Sequence, residues 1–293
     1  MCAFKKSNRN NTGTRALDEA YASIYDYHIM KNICKFFSIN ALLVVSAILF
    51  TACPNPVQIT PIGYFLWEQE ADGNITITGY NQSGPRSVII PEQIEGRPVT
   101  FIGLKAFFDG RLTSVTIPNS VTLIGYGAFS SNQLTRVNIG NGVETIGEYG
   151  FSNNLLTSVA IPNSVINIAG GAFRHNRLTS VTIPDSVRSI GVGAFYDNQL
   201  TSLTIGSGVT TIEFATFANN QLRSITIPQN VTLIRANAFT NNQLSSITIG
   251  NDVILDSLFG DPPFENNFDV FYNNNNRRAG TYTWNGSIWS FEG

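Results

Sequence analysis

Apolar residues return along most of this chain at a constant interval of 22, beginning with Leu112, Leu134, Leu156, Leu178, Leu200, Leu222 and Leu244. The same interval carries Phe107 to Phe239, Ile117 to Ile249, Val121 to Val253 and Ile124 to Ile234. Self-similarity at one fixed period marks a repeat architecture, in which each unit brings one complete set of core residues. Within a unit, Val115 and Ile117 alternate with Ser114 and Thr116, the period-two pattern of a half-buried strand. Pro118, Pro162, Pro184 and Pro228, replaced by Gly140, Gly206 and Gly250 in other units, end the strand where a ladder donor is no longer needed. A second apolar stretch, Val121 to Ile124, brings the chain back across the core. Gly125 allows a bend, Phe129 drops an aromatic plug inside, and an Asn corner returns the chain to the next leucine.

One such unit has no second layer on which to bury its Leu, Val, Ile and Phe, so it must stack on its neighbours. Each of those side chains contributes roughly 1.5–3 kcal/mol when buried. The expected fold is therefore a β-rich solenoid with one short parallel strand per 22-residue repeat. At about 4.8 Å per coil, some eight coils make a rod or shallow arc of roughly 40 Å.

The unit L-T-S-V-T-I-P-N-S-V-T-x-I-G-x-x-A-F-x-x-N resembles the BspA-type leucine-rich repeat of bacterial surface proteins, over about residues 88 to 259. Val88-Ile89-Ile90-Pro91, with Gly96-Arg97-Pro98-Val99 and Ile102-Gly103, is similar to that family's longer first unit. The resemblance implies a right-handed stack of coils and adhesion to host matrix, other cells or glycans. Many members carry Cys at the corner where this chain has Asn132, Asn154, Asn176, Asn198, Asn220 and Asn242. Those amides are expected to satisfy backbone groups.

Both ends differ from the middle, as a solenoid with two raw apolar ends requires. Residues 63–87 read as an N-terminal β-hairpin cap, with Tyr64 to Trp67 and Ile75 to Thr78 joined across Asp72-Gly73. Residues 260–293 read as a C-terminal cap, where Asn285-Gly286 predicts a tight hairpin with Tyr282 opposite Trp289. Tyr282, Trp284, Trp289 and Phe291 cover the last coil on this reading, the alternative being a sugar-stacking platform.

Ahead of the repeats, a short basic segment from Met30 precedes an apolar run from Phe36 to Phe50. The run is below the roughly 20 residues that span a bilayer. It ends at Phe50-Thr51-Ala52-Cys53, which resembles a bacterial lipobox with Phe where Leu is usual. Residues 30–52 are thus expected to be a lipoprotein signal peptide, Cys53 the acylated residue and 53–62 an extended tether. Residues 1–29 read as an extension upstream of a true start at Met30. Pro54 rather than Asp after the cysteine suits sorting to an outer membrane.

From residue 53 onward there are 12 Arg plus Lys against 17 Asp plus Glu, a formal charge near −5, and Lys105 is the single lysine. Such a balance argues against nucleic acid as a partner. With Cys53 acylated no thiol is left for a disulfide or a thiolate metal site. His175 is the only histidine after residue 52 and stands at a variable corner, so a Ser-His-Asp or Cys-His site would rest on one ring. Asp256, Asp261, Glu265 and Asp269 fit no calcium loop and read as solvated charge. Neither an enzyme nor a cofactor site is expected.

The candidate contact surface is the outward strand face. It comprises Ser114, Thr116, Arg136, Asn138, Ser158, Ser180, Thr182, Ser202, Thr204, Ser224, Thr226, Ser246 and Thr248. Such a hydroxyl ladder suits weak multivalent contact with a protein or glycan of a host or cell surface. Arg136, Asn138 and Ala160 interrupt it, which argues against ice as the ligand. The competing reading is a structural spacer or antigenic coat, whose Ser and Thr merely suit exposed strand positions.

Overall fold

One repeat, residues 112–133, shows how the coil forms in the computed structural model, which describes residues 59–257 and 261–292. Leu112 enters the core, Ser114–Thr116 forms a strand, and the chain turns at Pro118 and Asn119. A second strand, Leu123–Ile124, follows; a run of turns over 126–131 then carries Phe129 inward, and Asn132 closes the corner. The alternation at 114–117 thus gives one strand, and the Val121–Ile124 stretch adds a second, shorter one to each coil.

Coils stack in parallel at the sequence period, with Ser180 opposite Ser202 and Thr182 opposite Thr204. On the side of the two-residue strands, hydrogen-bonded pairing runs unbroken from Arg97–Ile102 through Leu123–Ile124, Thr145–Ile146 and Asn167–Ile168 to Ser189–Ile190. The three-residue strands are less continuous. They form Ser87–Ile89 with Ser114–Thr116 and Arg136–Asn138, then Ser180–Thr182 with Ser202–Thr204, then Ser224–Thr226 with Ser246–Ile249. Residues 158–160 form no strand, and Ala160, a residue depleted in strands, stands there.

The turn side is joined by backbone bonds of its own. Phe107 N–H donates to the Ala128 carbonyl at 2.8 Å, and Phe129 N–H to that of Gly150 at 2.8 Å, each reaching the following coil. Two residues per coil take positive φ on this side. One column runs Asp109, Ser131, Asn153, His175, Asp197, Asn219, Asn241, with φ between 51° and 58°. The other runs Lys105, Gly127, Tyr149, Gly171, Gly193, Ala215, Asn237. Left-handed backbone favours Gly, Asn and Asp, which accounts for most of what stands at both.

The core is a set of columns. Leu112, Leu134, Leu156, Leu178, Leu200 and Leu222 are fully buried, and Leu244 is partly exposed at the end. Phe107 through Phe239 stack face to face, successive centroids 4.9 to 5.6 Å apart. The column continues into Phe264 at 5.0 Å and 6°, past the point where the 22-residue spacing ends. At one end Phe65 meets Phe107 edge-on at 75°; at the other Phe268 meets Phe264 at 69°.

The N-terminal end is covered by the antiparallel strands Phe65–Gln69 and Ile75–Tyr80, the second of which pairs in parallel with Arg97–Ile102. The C-terminal end is covered by a helix, Phe268–Asn274, and by the strands Gly280–Trp284 and Trp289–Glu292. Gly280–Trp284 lies antiparallel on Ser246–Ile249 and so ends the parallel stack.

The expected hairpin register is corrected there, because Tyr282 faces Phe291 and Trp284 faces Trp289. A two-residue turn at Asn285-Gly286 needs positive φ at both residues. Gly286 has it at 99° and Asn285 does not. The Asn285 side chain accepts instead from Ser287 and Ile288 N–H at 2.9 Å each, making a four-residue connection. Tyr282 and Trp289 are buried, and Trp284 and Phe291 pack against the core. These rings are therefore engaged with the last coil rather than set out as a platform.

The expected signal peptide over 30–52, Cys53 and the first part of the expected tether lie outside the described residues. Among the described residues no helix is long and apolar enough to cross a membrane.

Candidate binding surface

The strand side takes its chemistry from the alternation that builds it. Val115, Val181, Ile225 and Ile247 point inward and are buried, so the residues flanking them point outward. Ser180, Thr182, Ser202, Thr204, Ser224 and Thr226 are exposed, as are Arg136, Asn138 and Ser158. Ser114, Thr116, Ser246 and Thr248 are half-buried, because flanking strands crowd them. The structure brings these residues into three groups rather than one ladder. Breaks fall at 158–160 and between Ser202–Thr204 and Ser224–Thr226.

Both ends of this side reach beyond the expected set. Ser87 on the first strand lies 2.6 Å from Ser114, oxygen to oxygen. At the far end Thr248 Oγ1 lies 2.9 Å from Thr281 Oγ1, and Thr283 Oγ1 lies 2.7 Å from Ser290 Oγ. The C-terminal hairpin thus turns its aromatic face to the core and continues the hydroxyl side with its other face. The Thr281-Tyr282-Thr283 alternation carried that signal.

The Asn corners form a buried column. Asn132 Oδ1 accepts from Leu112 N–H at 2.9 Å, while its Nδ2 donates to the Phe107 and Phe129 carbonyls at 2.8 and 3.0 Å. Asn154, Asn176, Asn198 and Asn220 repeat the arrangement. Both ends of each amide are thereby occupied within the stack.

The structure sets a carboxylate against His175. Its Nδ1 lies 2.6 Å from Asp197 Oδ2, since residues 22 apart sit one above the other. Its Nε2 accepts from Arg174 Nε at 2.9 Å, and the Arg174 guanidinium lies 4.7 Å over the Tyr196 ring. Both ring nitrogens are engaged within this cluster. Of the four C-terminal carboxylates, Asp256 pairs with Arg235 at 3.0 Å and Glu265 accepts from Asn241 N–H at 2.6 Å. Among the described residues no group of three or more His, Cys, Asp or Glu is placed to hold a metal ion.

The turn side carries a feature that periodicity did not single out. Phe108, Tyr126 and Tyr149, with Lys105, Ser131 and Asn153 around them, line an open groove of about 260 Å³. The available signal was departure from the repeat at Tyr149, which stands where later coils have Gly171 and Gly193; Tyr126 belongs to a variable column with Glu148, Gly170, Val192, Phe214 and Ala236.

Comparison with known proteins agrees with this architecture. The model of the BspA type leucine-rich repeat region matches residues 80–198 and 144–266, in six copies. The chain is similar in structure to a leucine-rich repeat protein from Bacteroides ovatus, at 24% identity and a TM-score of 0.57, covering 70% of this chain and 57% of that one. It is also similar to the T. pallidum leucine-rich repeat protein, at 24% identity and a TM-score of 0.50, covering 74% of this chain and 95% of that one. Both likenesses show the fold. The chain spans little more than half the length of the Bacteroides ovatus protein. A comparison with curated proteins gives no match.

Proposed function

Because the chain belongs to the BspA-type leucine-rich repeat family, we propose that it is an adhesive protein of a bacterial surface, binding a protein or glycan of a host or neighbouring cell. On this reading Cys53 carries the lipid that holds it to a membrane, an outer membrane or cell surface, and the repeats are displayed beyond a short tether. Nucleic acid has no place in it, since the net charge is negative.

The observation that carries the reading is the exposure, in register, of Ser180 over Ser202 and Thr182 over Thr204, and the like arrangement of Ser224 and Thr226. Groups that donate and accept at one strand spacing suit an extended partner held by many weak contacts. A second reading, a spacer or antigenic coat without a dedicated ligand, draws on the breaks in the same side at 158–160 and after Thr204.

A soluble chain from residue 54 onward, screened against matrix proteins, glycans and whole cells, separates the two. Adhesion predicts specific capture that is lost when Ser202, Thr204, Ser224 and Thr226 are changed to bulky charged residues. Silence against every probe, with the chain folded, favours the spacer.

A further inference from the structure

The geometry points to a second contact site, a saccharide-binding groove on the turn side of the first coils, lined by Phe108, Tyr126 and Tyr149. It deepens the adhesive reading above and rests on it.

Tyr149 carries the argument. It stands at φ 55°, in a column that holds glycine in three of the other six coils. A bulky side chain in the left-handed region costs roughly 1–2 kcal/mol, and the turn that recurs in every coil sets it there. A Cβ on Gly171, one coil on, would lie 2.6 Å from Tyr149 Cε1, so the ring rests on bare backbone and is held there. Tyr126 meets it edge to face, centroids 5.6 Å apart at 73°. Phe108, Tyr126 and Tyr149 remain 42%, 44% and 37% exposed. Lys105 Nζ sits 5.2 Å from the Phe108 ring centroid and adds one cation at the rim.

Exposed rings beside hydroxyl and amide groups match a pyranose, which offers an apolar C–H face and an edge of hydroxyls that both donate and accept. The groove, about 260 Å³, falls just below the roughly 300–1,000 Å³ of drug-sized pockets. That suits one or two sugar rings.

The test titrates the full chain, purified in detergent, with soluble N-acetylglucosamine, β-glucan and uronic-acid oligomers. The wild type should bind at least one, and Tyr126→Ala and Tyr149→Gly should each weaken that binding at least about tenfold, or 1.4 kcal/mol. Tyr149→Gly should melt no lower than the wild type, because it relieves the backbone while removing the ring. A double variant on the strand side, Thr204→Glu with Thr226→Glu, should bind the sugar as before. The groove is refuted if no oligomer binds, if Tyr126→Ala and Tyr149→Gly bind as the wild type does, or if only the strand-side variant loses binding. Capture of a matrix protein that persists in those cases leaves the adhesive reading standing; its loss as well removes both.

Discussion

At the scale of single residues, the Asn corners decide whether the coils close. Asn176 Oδ1 accepts from Leu156 N–H at 3.1 Å, and its Nδ2 donates to the Phe151 and Phe173 carbonyls at 2.9 and 3.1 Å. Truncating the amide strands one buried donor, the Leu156 N–H, while the Phe151 and Phe173 carbonyls keep the amides of Asn154 and Asn198; an unsatisfied buried group costs about 1–3 kcal/mol. Asn176→Ala should therefore lower stability by about 1–3 kcal/mol in urea unfolding. A change within about 0.5 kcal/mol, the ordinary range of surface substitutions, would mean that water takes the amide's place. The corner role of these amides was legible because an Asn recurs at one position in every unit. The left-handed columns were not. Ser131, His175 and Asp197 share their place in the period but no side-chain property, and their common backbone angle shows only in the coordinates. The His175–Asp197 pair needed only the further step of treating one period as one contact.

Among the elements, the two caps do work that the repeats cannot do for themselves. Rings lie face to face along the interior and edge-on at both ends, where Phe65 and Phe268 sit. Behind them lie tyrosines held away from water. Burial pushes the Tyr80 and Tyr282 hydroxyls up from 10.0 to about 12, and it raises Tyr272 as well. A raised folded value means that the neutral form is favoured in the fold. The stability linked to it is complete below pH 10 and is lost as pH climbs towards 12. Melting temperature should therefore fall over that interval, and the Tyr80→Phe, Tyr282→Phe double variant should fall less steeply. Equal slopes would show that other groups govern alkaline unfolding. The C-terminal cap was the least readable element. Phe264 follows Phe239 by 25 residues rather than 22, so a register search loses the column, and Asn285 uses its side chain where a two-residue turn would need a left-handed backbone.

For the whole molecule, one repeat is one coil, and that equivalence makes length adjustable. Removing residues 156–177 takes out one Leu, one Phe and one Asn corner, and brings Phe151 onto Phe195. Gly193 then lies under Tyr149 in place of Gly171. Such a chain should unfold cooperatively, with a denaturant slope reduced in proportion to the surface lost. Removing only residues 156–166 sets strand against turn and should abolish the transition. A half-coil deletion that unfolded as sharply as the full one would contradict a stack built from equal turns.

The backbone bonding between coils also bears on what such a protein does under load. On the turn side N–H groups reach the following coil, whereas Gly125 and Gly147 N–H reach back to Ile102 and Ile124 at 2.7 and 2.8 Å. Every coil is gripped from both directions, so tension along the axis finds its easiest release at a terminal turn. A 22-residue turn that peels away exchanges about 4.8 Å of axis for roughly 75 Å of extended chain. On the adhesive function proposed above, a cell tugged by flow would then be paid out on a lengthening leash, one winding at a time, instead of being torn loose at a single rupture.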